Sequence, residues 1–172
     1  MNQIEVKYHI IEKRFHPSDG WNVTVDLDPM EMGKGRQNAG QKGALAQTYR
    51  KRLEDIGVRI GADKEFGRTD IVARHPEKGC FIIECEGDTR KQKEQAMYSA
   101  LGQLLVKMFA GYARTCYGLA VPKSNGWRKQ LSKIPKTVCQ RLNLKLYLVS
   151  GSAVQELTGS EQATGADGDS CR

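Results

Sequence analysis

Residues 67–87 read GRTDIVARHPEKGCFIIECEG, and this stretch decides the fold. Ile71, Val72 and Ala73 form one short apolar run and Phe81, Ile82 and Ile83 a second. Pro76-Glu77-Lys78-Gly79 between them is a turn of hairpin length, so two paired strands are expected. Acids interrupt both runs: Asp70 opens the first, while Glu84 and Glu86 close the second. Side chains alternate between the faces of a strand, so Glu84 and Glu86, at i and i+2, share one face. A hairpin of this span brings Asp70 alongside Glu84. Burying an unpaired carboxylate is costly, and a divalent cation would relieve it. Three hard oxygen donors suit Mg²⁺ or Mn²⁺ better than zinc. The other reading of the same spacing is that the acids point into solvent from strand ends.

Outward from the hairpin, Gly43–Gly57 has helical spacing, with Leu45, Tyr49, Leu53 and Ile56 on one face and Arg50, Lys51 and Arg52 beside them. VRIGADKEF after it reads as a further strand. Downstream, Ala96, Met97, Ala100, Leu101, Leu104, Leu105, Met108 and Phe109 form an amphipathic stripe that must pack on a sheet. TCYGLAVP is a strand, GWRKQLSKIPKTVCQRL a basic helix broken near Pro135, and LKLYLVS a last strand. Towards the N-terminus, MNQIEVKYHIIEKRF and GWNVTVDLDP read as two extended segments joined at HPSDG. The expected organisation is one α/β domain over 1–151, with N-terminal strands in 1–30, a basic Gly-rich loop in 31–42 and the core in 43–151. Residues 152–172, Gly/Ser/Asp-rich and without periodicity, are expected to be a flexible acidic tail.

The chain has 172 residues, 39% apolar and 27% charged, enough for one domain with a substantial core. Its formal charge is +7; the last 21 residues contribute −3, which leaves +10 on residues 1–151. A basic body favours a polyanionic partner. No apolar run approaches the roughly 18 residues of a membrane span, and Lys107 interrupts the best candidate, LGQLLVKMFAGYA. The N-terminus lacks the pattern of a secretory signal, which makes the cytoplasm the expected location. Cys80, Cys85, Cys116, Cys139 and Cys171 form no CxxC pair and read as reduced cysteines. His9, His16 and His75 match no catalytic or metal-binding spacing.

The succession GRTDIVARH, a short turn, FIIECEG and a helix bearing GQLL resembles the core of the PD-(D/E)xK nuclease superfamily, which includes restriction endonucleases, Holliday-junction resolvases and RecB-like nucleases. The resemblance covers roughly residues 43–150. It implies a restriction-endonuclease-like core: a central mixed sheet flanked by helices, in the order helix, three strands, helix, strand. It further implies that Asp70 and Glu84 hold a catalytic Mg²⁺ or Mn²⁺ and that the protein hydrolyses DNA phosphodiester bonds, with a homodimer as the expected assembly. Glu86 stands where the superfamily usually has lysine, so it would ligate metal or activate water, or Lys91 or Lys93 would reach back from the next helix. Gln47 looks equivalent to a glutamate that many relatives carry on the first helix, whereas Glu54 lies further down it. Gln103 matches a glutamine that RecB-like relatives place near the site; a solvated helix flank is the alternative. Tyr98 reads as packed against the sheet.

Gln47 and Glu86 also favour a second reading, a catalytically inactive nuclease-fold module that binds DNA or supports an assembly. RNA in place of DNA is compatible with either reading. Lys34, Arg36 and Lys42 in the loop, with Arg50 and Lys51 on the helix, make a candidate phosphate-contact surface. Trp127 with Arg128 and Lys129 makes another, where an aromatic among cations could stack on a base, or where Trp127 simply closes the core. The loop glycines do not form a GxxxxGK[ST] phosphate loop.

Overall fold

In the computed structural model, residues 1–28, 32, 39–88, 92–108 and 114–157 are described. In chain order they form α1 (Gln3–Arg14), a 3-10 turn (Pro17–Asp19), β1 (Asn22–Val25), α2 (Ala39–Asp55) and β2 (Arg59–Ile60). There follow β3 (Ile71–His75), β4 (Gly79–Cys85), α3 (Lys93–Leu105) and β5 (Thr115–Pro122). Last come α4 (Asn125–Leu131), α5 (Lys136–Arg141), β6 (Leu144–Val149) and β7 (Val154–Glu156). The strands make one mixed sheet in the order β2-β1-β3-β4-β5-β6-β7.

The hairpin is the centre of this sheet. β3 and β4 pair antiparallel with Ile71 opposite Ile83 and His75 opposite Gly79. The turn is tied by His75, whose Nδ1 accepts from the backbone N–H of Glu77 at 3.1 Å and of Lys78 at 3.2 Å. Gly79 leaves the turn at φ +88°, a left-handed conformation that favours glycine. β4 and β5, joined through α3, run parallel, as do β5 and β6. Alternation along the strands splits the core between two faces. Phe81, Ile83, Cys85, Ala120 and Tyr147 meet Val6, Ile10 and Ile11 of α1 and Leu53 of α2. Ile82, Leu119, Val121 and Leu146 meet Met97 and Leu104 of α3 and Trp127 and Leu131 of α4. Helices therefore cover both faces of an α/β sheet.

Four boundaries differ from the sequence expectation. The first extended segment of 1–30 is the helix α1, capped where the Glu5 carboxylate accepts the Asn2 backbone N–H at 2.6 Å. α2 begins at Ala39, inside the span read as loop, so α1 and β1 belong to the core as fully as 43–151 does. VRIGADKEF contributes only the two residues of β2, because Asp63 turns the chain: its Oδ1 accepts from the N–H of Glu65 at 3.0 Å and of Phe66 at 3.1 Å. The span read as a tail begins with ordered structure. β7 pairs antiparallel with β6, and Leu157 is buried against the α3–α4 face. Residues 158–172 lie outside the described residues.

Candidate functional site

Asp70 immediately precedes β3 and Glu84 is the penultimate residue of β4. Extending the Ile71–Ile83 register by one step sets Asp70 opposite Glu84, within reach of its charge. The Asp70 carboxylate is held on both oxygens. Oδ2 accepts from the Cys85 backbone N–H at 2.8 Å and from Gln3 Nε2 at 3.1 Å, and Oδ1 lies 2.8 Å from Lys7 Nζ. Lys7 is completely buried and also donates to the carbonyl oxygen of Asp26 at 2.8 Å. On the other side, Glu84 accepts from Lys107 Nζ. The site is thus a pair of adjacent acids, Asp70 and Glu84, flanked by a lysine on each side, Lys7 and Lys107, drawn from α1, the hairpin and the turn after α3.

Burial and the neighbouring charge of Asp70 push the Glu84 carboxyl up to about 8, against the opposing pull of Lys107. Only 2% of Glu84 is exposed, so desolvation is the largest cause. Two carboxyls set against each other in so buried a place are costly to ionise together.

Glu86 is half-buried, and its N–H donates to the Ala120 carbonyl at 2.9 Å, which carries the β4–β5 ladder one residue past Cys85. Among the described residues, no three His, Cys, Asp or Glu side chains converge closely enough to hold a metal. The expected three-acid donor set is therefore reduced to the Asp70–Glu84 pair, with Glu86 outside it. Gln103 is exposed on α3. Lys93 pairs with Asp88 at 2.8 Å rather than with the acids, and Lys91 lies outside the described residues. Gln47 is exposed on α2, and Glu54 pairs with Arg50 at 3.0 Å on the same helix surface. The helix that reaches the acids is α1, through Gln3 and Lys7.

Of the expected nucleic-acid contacts, Trp127 is fully buried in the core, so its ring offers no face for stacking. Arg128 is half-buried and donates to Gln155 Oε1 at 3.0 Å, whereas Lys51 and Lys129 are exposed. Lys42 falls on α2, while Lys34 and Arg36 lie outside the described residues. Tyr98, expected against the sheet, is 52% exposed and donates to Glu94 at 2.7 Å.

Lys7, Gln3 and Lys107 carried signals that pattern reading passes over. Lys7 sits on the buried face between Ile4 and Ile11 once the segment is turned into a helix. Lys107 is the one charge in the run LGQLLVKMFA, a position that asks for a carboxylate partner. Comparison with protein-family models, curated proteins and solved structures gives no match for the chain.

Proposed function

We propose that the protein is a divalent-cation-dependent phosphodiesterase acting on DNA, an endonuclease of the PD-(D/E)xK type with glutamate at the usual lysine position. The observation that carries the reading is the pair of opposed carboxyls, Asp70 and Glu84, fixed at one end of a hairpin beside a parallel crossover strand. The order α1, β1, β3, β4, α3, β5 is compatible with the superfamily's helix, three strands, helix, strand. In this reading the first helix is α1, and α2 and β2 are an excursion between the first two core strands.

The residues fit a cation. Two carboxyl groups set against each other, with burial opposing the ionisation of Glu84, form a hard-oxygen pair that a cation would let ionise together. Asp70 and Glu84 would hold Mg²⁺ or Mn²⁺, which supplies Lewis-acid chemistry to phosphate and to water. The Cys85 N–H and Gln3 orient Asp70. Lys107, at the mouth of the site, leaves Glu84 to neutralise charge growing on a phosphate oxygen, the task of the lysine that Glu86 replaces. Glu86, next on the same strand face, accepts the proton of the attacking water. Exposed Lys51 and Lys129 hold the backbone of the polyanion.

Supercoiled, linear and branched DNA should be incubated with wild type, Glu84→Ala and Lys107→Met, with Mg²⁺, with Mn²⁺ and with EDTA. Cleavage by wild type that EDTA and Glu84→Ala abolish, and that Lys107→Met lowers about 10²-fold or more, is the expected result. One observation favours a second reading: the two lysines already compensate both acids. A module that binds DNA through the same surface and never cuts it would give retention on DNA with no product under any metal.

A further inference from the structure

We propose that the site takes one divalent cation and no more, because the Lys7 ammonium occupies the place beside Asp70 that a second cation would need. This inference rests on the cation-dependent reading above. Lys7 is completely buried on the inner face of α1, where Val6, Ile10 and Ile11 pack against the sheet. Its ammonium takes oxygens from two chain segments, Asp70 Oδ1 and the Asp26 carbonyl, each at 2.8 Å. Those segments are tied to each other, since the Asp26 N–H donates to the Asp70 carbonyl at 3.2 Å. The oxygens around the ammonium are therefore set by the sheet, and they are of the hard kind that Mg²⁺ or Mn²⁺ would use.

Lys7 and Lys107 differ in freedom. Lys107 lies two residues past the end of α3, and its side chain is 12% exposed, so it can leave Glu84 when a cation arrives. Lys7 has no exposed surface, and withdrawing its charge would strand it in an apolar core. A cation arriving at the pair displaces Lys107. The charge of Lys7 remains on Asp70 and repels a second ion.

The test counts Mn²⁺ bound to the metal-free full chain without nucleic acid, by the electron-paramagnetic-resonance signal of the free ion and by calorimetry. Wild type and Lys7→Arg should each bind one ion. Lys7→Met, which has nearly the same length and no charge, should bind two. Two ions on wild type or Lys7→Arg, or a single ion on folded Lys7→Met, overturns the inference and leaves the cation-dependent reading standing. No ion on wild type removes both. If circular dichroism shows Lys7→Met unfolded, the wild-type and Lys7→Arg counts decide: one on each supports the inference, two on either ends it.

Discussion

Glu84 binds its proton more tightly folded than unfolded, and that has a cost in stability. Its folded carboxyl is pushed up to about 8, against 4.5 for an ordinary glutamate. Asp70 faces it across the hairpin, Lys107 from the turn after α3, Lys7 from α1 through Asp70, and Glu86 follows on its own strand. Folding therefore takes up a proton between those two pH values. The contribution of Glu84 is complete below about pH 4.5 and is lost as pH rises through about 8. In EDTA, Glu84→Gln should be more stable than wild type by about 2 kcal/mol or more at pH 9. By pH 4 the difference should have closed. Urea unfolding at the two pH values measures it, and a gap independent of pH would sink this account. Asp70 and Glu84 were legible in the sequence because a short hairpin fixes register through spacing alone. Lys7 and Lys107 were not, because Lys7 arrives from a helix remote in the chain and Lys107 from the turn after α3, and only packing brings them to the acids.

At the scale of elements, α1 decides how the site is built, and it is also where the sequence misleads. Ile4, Val6, Tyr8 and Ile10 alternate as a strand would, while Ile4, Lys7, Tyr8 and Ile11 follow helical spacing; the β-branched residues weight the first pattern. Burial along α1 settles for the helix. The helix start is clamped to the end of β4, where the Asp88 N–H donates to the Met1 carbonyl at 2.8 Å. Gly87 makes that approach possible, since a Cβ there would lie 2.8 Å from the Gln3 nitrogen and 3.3 Å from the Asn2 carbonyl carbon. Gly87→Ala should push the start of α1 outward and carry Gln3 away from Asp70. The expected loss is about 1–3 kcal/mol, with Mn²⁺ affinity falling further than stability predicts. Unchanged affinity in a folded Gly87→Ala protein would separate α1 from the site.

For the molecule as a whole, the broad architecture followed from pattern: an α/β domain with a hairpin, a long amphipathic helix packed on the sheet and a broken basic helix before the last long strand. Short elements escaped. The strand expected at VRIGADKEF shrank to the two residues of β2, and β7, with three, is too short for any period to register. β7 nevertheless matters to the fold. Lys145 pairs with Glu156 at 2.8 Å, Arg128 reaches Gln155, and Leu157 is buried. Ending the chain after Ser150 should cost about 3 kcal/mol or more, roughly 2 of it from Leu157 and the rest from the lost ladder. Thermal unfolding should fall by about 6–12 °C; an unshifted transition would make β7 ornamental.

The bond from the Asp26 N–H to the Asp70 carbonyl has a topological consequence. The chain leaves β1 at Asp26 and enters β3 from Asp70, so one hydrogen bond joins both ends of the excursion that carries α2 and the edge strand β2. The excursion is a splice set into the domain beside an acid of the site. Closing a loop costs only about 0.6 kcal/mol for each doubling of its length. The excursion as a whole could therefore be lengthened at little cost while Asp70 keeps its register opposite Glu84. It is a permissive place to graft a recognition element onto an otherwise fixed scaffold.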